Sequence, residues 1–281
     1  MSTKKNQGTS NNLPTTSLAS EQAAAQFKLD SHIVSMMLDE PFYASVLRGV
    51  NFVRTTSIPT AGVLAKDGEI TMWWNPRFLA SLTREQVKGL LKHEAMHLAL
   101  SHTTTRRLDP HIIHNYATDL AINSDIPEIE LPEGGLIPGV PFPELTESQK
   151  VNMTNEHIER YQRISQKIES FPKGEASEWY FARLLEDKQV AEDIQKGNEV
   201  QGKSLDQAIK DGDVSLDKDG NLVDKNGNPV TIMPGSMDVH DGWDESSDED
   251  RELIKGKIKK ALEDAVKECD ARGQWGSVGA S

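Results

Sequence analysis

One pentapeptide, residues 93 to 97, restricts the folds open to this chain more than any other part of its sequence. It reads His-Glu-Ala-Met-His, the HExxH pattern. At about 100° per residue, helical side chains four positions apart share a face, so His93 and His97 can bind one tetrahedral metal ion. Glu94 then lies beside the metal, where its carboxylate can accept a proton from an activated water. The pattern predicts zinc on a partly buried helix, with Glu94 as general base.

The flanking sequence favours a helix at this position. Thr83 and Gln86 have the spacing of a capping box, and Leu82 and Val87 that of a hydrophobic staple. We expect the helix to run from about Arg84 to Ser101. Its further apolar residues are Leu90, Leu91, Leu98 and Leu100. A charged Glu94 among these residues needs a partner, and a metal site supplies one.

A second helix is predicted from His111 to about Asp125, with Asp109 as N-cap and Pro110 at the first helical position. Three polar residues one turn apart form a line along it: Asn115, Asp119 and Asn123. Asp119 follows His97 by 22 residues, enough for a helical hairpin to return a carboxylate to the first helix. We therefore expect Asp119 to be the third zinc ligand. The alternative is an Asp119 that bonds only to Asn115 or to a backbone amide.

Other histidines compete for the third position. His102 lies about 140° around the helix from His97, so it reaches the metal only if the helix unwinds near Leu100. His111 and His114 open the second helix and favour an outer layer of the site or a surface patch.

His240 has acidic neighbours and is followed by Trp243. We hypothesise that it approaches the zinc-bound substrate and stabilises the oxyanion of peptide hydrolysis. The alternative is a structural histidine with ordinary hydrogen bonds.

Three short strands are predicted before the first of these helices, over 50–54, 61–65 and 69–74. Asp67 and Gly68 indicate a tight hairpin turn between the last two. We expect a small antiparallel sheet in an α+β domain.

Composition limits the partners. The net charge of −13 argues against nucleic acid, because phosphate binding depends on clustered Lys and Arg. The single cysteine, Cys269, fits a reducing compartment. No apolar stretch is long enough to cross a bilayer, and the N-terminus lacks a signal peptide core. These features predict a cytoplasmic protein without membrane contact.

The chain divides into a polar segment over 1–24, expected to be disordered or only partly helical, a domain over 25–273 and a tail over 274–281. Within the domain, 214–233 contains the turn pairs Asp219-Gly220 and Asn226-Gly227, which predict a hairpin insertion. A calcium loop is the alternative, but Asn226 would then occupy the position that requires a bidentate Glu.

Several blocks in order make the chain resemble a family of HExxH metallopeptidases that carry a von Willebrand A-like domain after the metallopeptidase domain. The similarity covers roughly residues 40 to 275. The matching residues are Trp74, Asn75 and Pro76; His93 to Leu98 and His102; Asn115, Ala117, Asp119, Ile122 and Asn123; Leu131, Pro132, Gly134 and Leu136; and Asp238, His240, Asp241 and Trp243.

This resemblance implies a zincin-like fold and a protein or peptide substrate. In zincins an edge strand binds extended peptide, which we expect of 69–74, with Trp73 or Trp74 lining the substrate pocket or packing the sheet. The A-like domain is missing from this sequence. Either the chain is truncated, or it acts alone or with a separately encoded protein partner. The alternative function is a catalytically inert metal-binding protein that serves in binding or assembly.

Overall fold

The computed structural model describes residues 15–104, 106, 108–151, 153–200, 203–217, 222–228, 230 and 247–279. Within these ranges the fold is a mixture of helices with small sheets, as the α+β prediction requires. The helices are α1 (Thr15–Gln26), α2 (Leu29–Asp39), α3 (Pro41–Val46), α4 (Pro76–Ser81), α5 (Arg84–Ala99), α6 (His111–Asp125), α7 (Glu147–Val151), α8 (Asn155–Glu169), α9 (Ser177–Glu186), α10 (Lys188–Gly197), α11 (Leu205–Lys210) and α12 (Asp248–Arg272). Short 3-10 turns cover Leu47–Gly49, Glu128–Glu130 and Gly276–Gly279.

The strands form one three-stranded sheet and two short two-stranded ladders. They are β1 (Asn51–Arg54), β2 (Ala61–Lys66), β3 (Glu69–Trp74), β4 (Glu199–Val200), β5 (Lys203–Ser204), β6 (Val214–Leu216) and β7 (Leu222–Asp224). In the three-stranded sheet, β2 and β3 are antiparallel and join through the predicted turn, where Asp67 and Gly68 both have positive φ. The hairpin prediction is therefore confirmed.

The order of this sheet differs from the prediction. β1 pairs with β3 in parallel, so the sheet is mixed rather than antiparallel. The expected edge strand, β3, lies between β1 and β2. Residues 55–60 connect β1 to β2 so that these two strands lie on opposite sides of β3. The alternation of side chains within a strand does not encode such an arrangement. Trp74 is buried in the core, as the packing alternative expects.

Helix α5 begins as predicted. The Thr83 side chain accepts from the Gln86 amide, and the Gln86 side chain accepts from the Thr83 amide, so the capping box is complete. Val87 is fully buried and Leu82 packs partly buried against the same core cluster. The helix ends at Ala99, two residues early, and Ser101 follows with φ of 62°.

Helix α6 has the predicted bounds but a different cap. Pro110 holds the N-cap position in an extended conformation, and no side chain caps the helix there, so the Asp109 prediction is wrong. Because its backbone is extended, Pro110 has its carbonyl at the start of the helix. This carbonyl, rather than the Asp109 side chain, accepts hydrogen bonds from the amides of Ile113 and His114.

Two large apolar clusters hold these elements. The first joins α2, α3, the three-stranded sheet, α5 and α12, and the second joins α6 to α8, α9 and α10. Helix α6 belongs to both: Ile122 and Ile126 pack in the first cluster, whereas Tyr116 and Leu120 pack in the second. The two helices that carry the predicted ligands thus meet where the clusters adjoin.

Both ends of the described chain contact the body of the domain. Helix α1 occupies part of the segment 1–24, which was expected to be disordered or only partly helical; Ala24 is buried, and its carbonyl accepts from Arg54. The alanine-rich sequence at 23–25 favours helix over disorder. In the predicted tail, Trp275 stacks on Phe42.

The hairpin insertion is partly described. Strands β6 and β7 pair antiparallel, and the Gly227 amide donates to the Asp224 carbonyl in the predicted second turn. The rest of the insertion lies outside the described residues. Among the helices that the structure describes, none combines the length and the apolar character needed to cross a membrane.

Candidate metal centre

Helix α5 places His93 and His97 side by side. Their Nε2 atoms are 2.9 Å apart, and both side chains are buried. The four-residue spacing on one helical face produces this arrangement, as the sequence predicts.

Asp119, on α6, completes a group of three potential ligands. Its Oδ1 lies 3.3 Å from His97 Nε2 and 3.6 Å from His93 Nε2. Zinc bonds of about 2.0–2.1 Å in a tetrahedron require ligand atoms about 3.3–3.4 Å apart, and the three observed separations scatter around that value. Two imidazoles and a carboxylate also match the donor set of hydrolytic zinc sites. The residues present therefore fit a zinc ion.

Asn123 fixes the orientation of His93. Its side-chain Nδ2 donates to the Leu136 carbonyl at 2.9 Å, which leaves Oδ1 facing His93 Nδ1, also at 2.9 Å. Because Oδ1 can only accept, the proton of His93 must be on Nδ1. The lone pair of Nε2 then points toward His97 and Asp119, as metal binding needs.

His102 lies next to Nδ1 of His97, as Asn123 lies next to Nδ1 of His93. Its Nδ1 lies 3.2 Å from His97 Nδ1, on the other side of the ring from Asp119. A metal on His97 Nε2 requires the proton on His97 Nδ1, which then donates to His102. His102 therefore lies where it can accept a hydrogen bond from His97, and it does not belong to the group of three potential ligands.

Glu94 is fully buried on α5 between the two histidines in sequence. It is not a member of the ligand group formed by His93, His97 and Asp119. The role of Glu94 as general base stays a prediction.

The remaining predicted histidines differ in position. His114 is buried with its ring centroid 6.1 Å from that of His102, so it belongs to an outer layer around the site. His111 is half-buried at the start of α6. His240 and its neighbours Asp238, Asp241 and Trp243 lie outside the described residues.

A cleft with a volume of about 100 Å³ reaches the centre from the side of His93 and Asp119. Its other walls come from the start of β2 and the residue before it, from α4, α5 and α6, and from the loop after Glu128–Glu130. They are Thr60, Ala61, Phe78, Leu90, Asn123 and Leu131 to Leu136. Trp73 and Trp74 are not among these walls, so the described cleft uses β2 where sequence reasoning expected β3. Leu90 could have been found, since it precedes His93 by three residues on the same helical face.

Comparison with known proteins places this geometry in context. A family model described as "Putative metallopeptidase domain" matches residues 25–274. An uncharacterized protein of Thermotoga maritima is 30% identical over 104 residues, which are 36% of this chain and 26% of that protein. The chain thus spans about a quarter of the length of this relative. No solved structure matches the chain. Because the family model covers most of the sequence, the chain belongs to this family of metallopeptidase domains.

Proposed function

We propose that this protein is a zinc-dependent peptidase with His93, His97 and Asp119 as metal ligands. The observation that carries the proposal is the convergence of three buried ligand atoms from two helices at the separations of a tetrahedral site. Membership of the metallopeptidase-domain family supports the same assignment. We also assign a zincin-like arrangement to the domain, with the HExxH helix packed beside a small sheet.

Zinc in this position would supply a Lewis acid that lowers the pKa of water from about 15.7 to about 7 and polarises the substrate carbonyl. Glu94 acts as the general base that accepts the proton from the attacking water and passes it to the leaving amine. Asn123 and His102 hold the two imidazoles in the tautomers that expose Nε2. His240 stays our proposal for the group that stabilises the oxyanion.

The substrate in this proposal is a protein or peptide that enters through the cleft beside His93. Zinc is favoured over other divalent ions because nitrogen ligands dominate a four-coordinate site. We assign the protein to the cytoplasm, with a separately encoded partner protein as a further proposal.

Metal content tests the assignment directly. Elemental analysis of the untagged protein should give about one zinc per chain, and His97→Ala and Asp119→Asn should each lose it. The matched controls are His157→Ala, a half-buried histidine on α8, and Asp125→Asn, at the end of α6; both should keep zinc. A wild type without bound metal after zinc is added back would overturn the proposal.

Catalysis is tested in zinc-loaded protein with a mixed peptide library, with cleavage followed by mass spectrometry. Glu94→Gln should keep zinc and lose about 10²–10⁴-fold in rate, the usual contribution of a general base. Glu85→Gln, at the exposed start of the same helix, should cleave like the wild type. Zinc binding with no Glu94-dependent cleavage would favour the inert binding module instead.

A further inference from the structure

The cleft beside the candidate metal centre is almost entirely apolar apart from the ligands at its end. Its apolar lining includes Phe78 from α4, Leu90 from α5, and Leu131 and Leu136 from the loop after Glu128–Glu130. Its polar wall is limited to Thr60, Glu133, Asn123, His93 and Asp119. Such a lining desolvates a hydrocarbon group at little cost.

The size of the cleft restricts which hydrocarbon groups fit. Its volume of about 100 Å³ is smaller than the roughly 150 Å³ of an apolar protein cavity that takes up benzene. A branched aliphatic side chain is therefore the best match to this volume, and an indole ring would extend out of the half-open cleft.

The wall that closes the cleft is fixed to both ligand-bearing helices. Gln86 Nε2 of α5 donates to the Leu131 carbonyl at 3.3 Å, and Asn123 Nδ2 of α6 donates to the Leu136 carbonyl at 2.9 Å. Between these anchors the backbone turns at Gly134, which has φ of 85°. The pocket is thus formed before a ligand arrives, which limits the entropy lost on binding.

We propose that this pocket binds an aliphatic side chain next to the scissile bond, so that the enzyme selects peptides with Leu, Ile, Val or Met at one adjoining position. Phe78 and Leu90 are the residues that set this specificity. The inference rests on the proposed peptidase function and adds the class of substrate.

The test uses hydroxamates, which bind zinc and carry one variable side chain. Titration calorimetry on zinc-loaded protein compares methyl, isobutyl and indolylmethyl hydroxamates. The isobutyl compound adds three carbons to the methyl compound, and we expect it to bind about tenfold or more tightly. The indolylmethyl compound should bind no better than the methyl compound.

Variants of Leu90 test whether this pocket causes the preference for the isobutyl compound. Leu90→Ala should enlarge the pocket and raise the affinity for the indolylmethyl compound, whereas Leu90→Trp should fill the pocket and abolish the isobutyl preference without loss of methyl hydroxamate binding. Leu100→Ala, at the exposed end of the same helix, should leave all three affinities unchanged.

The outcomes separate the two proposals. Equal affinities for the three compounds, or a preference that Leu90 variants do not alter, would overturn the proposed role of the pocket. Zinc binding and Glu94-dependent cleavage would be unaffected by that result. Absence of zinc itself would overturn the proposed function, and elemental analysis of the same samples detects it.

Discussion

At the residue scale, the candidate centre depends on partners that bind no metal. His93 and His97 can present Nε2 only if each keeps its proton on Nδ1, and each Nδ1 lies within hydrogen-bond distance of one side chain, Asn123 or His102. These contacts fix both the tautomer and the angle of the ring. They therefore contribute to metal affinity although they lie outside the ligand group.

Asn123 offers a clean test of this role. Asn123→Ala removes the acceptor for His93 Nδ1–H, and we expect zinc affinity to fall about 10–100-fold. Asn123→Asp keeps an acceptor and should retain most of the affinity. Competition with a zinc chelator of known affinity measures both. Equal losses in the two variants would show that Asn123 acts only through its bond to the Leu136 carbonyl.

At the scale of elements, α5 approaches the 3-10 turn Glu128–Glu130 so closely that only glycine fits between them. A Cβ at Gly89 would lie 1.9 Å from the Glu130 carbonyl oxygen. This contact positions the loop that follows the turn and forms the wall of the cleft. A glycine in the middle of the α5 helix is thus required by packing, against its poor helix propensity.

Two helical glycines allow a matched comparison. Gly89→Ala should lower the free energy of unfolding by about 1–3 kcal/mol, because the clash with the backbone exceeds the gain in helix propensity. Gly256→Ala, on α12 with open space around it, should raise it by about 0.4–1 kcal/mol. Urea unfolding with a chelator present measures both. A stabilising Gly89→Ala would contradict the close contact.

The sequence predicted the helices and strands more accurately than their arrangement in space. The capping box and the hydrophobic period located α5, and the polar line along α6 contained both Asp119, which lies close to His93 and His97, and Asn123. The parallel pairing of β1 with β3 was missed because side-chain alternation says nothing about strand order. The role of Asn123 depends on the Leu136 carbonyl, a contact between α6 and a loop that no local pattern encodes.

At the scale of the whole molecule, a buried ion network links distant parts of the chain. Lys92, beside His93 on α5, contacts Glu130 at 3.0 Å and Glu40 at 3.3 Å, and all three are buried. Glu40 also accepts from the amide and hydroxyl of Ser277. The network therefore joins the N-terminal helices, helix α5 and the C-terminal turn.

A neighbouring lysine strengthens the network. Burial lowers the pKa of Lys88, but its hydrogen bonds to Glu85 and Glu130 outweigh burial, so the pKa lies above its ordinary value. Lys88 consequently stays charged and helps to neutralise Glu130.

Removal of the central charge should affect the whole fold. Lys92→Met leaves two buried carboxylates without their shared cation, and we expect a loss of about 3–5 kcal/mol in the free energy of unfolding. Lys255→Met, in an exposed pair with Glu252, should change it by less than about 1 kcal/mol. Chemical unfolding in chelator measures both. A Lys92 variant as stable as the control would mean that water reaches and solvates the network.

The position of α6 between two apolar clusters has a consequence for biosynthesis. His93 and His97 leave the ribosome before Asp119, and one face of α6 is covered only when α8 to α10, up to Ile194, have also been made. Because chains are synthesised from the N-terminus, Asp119 is held in place late. A nascent chain would then carry the motif without a complete centre, so that the peptidase activity proposed for this chain would begin only after most of the domain has folded.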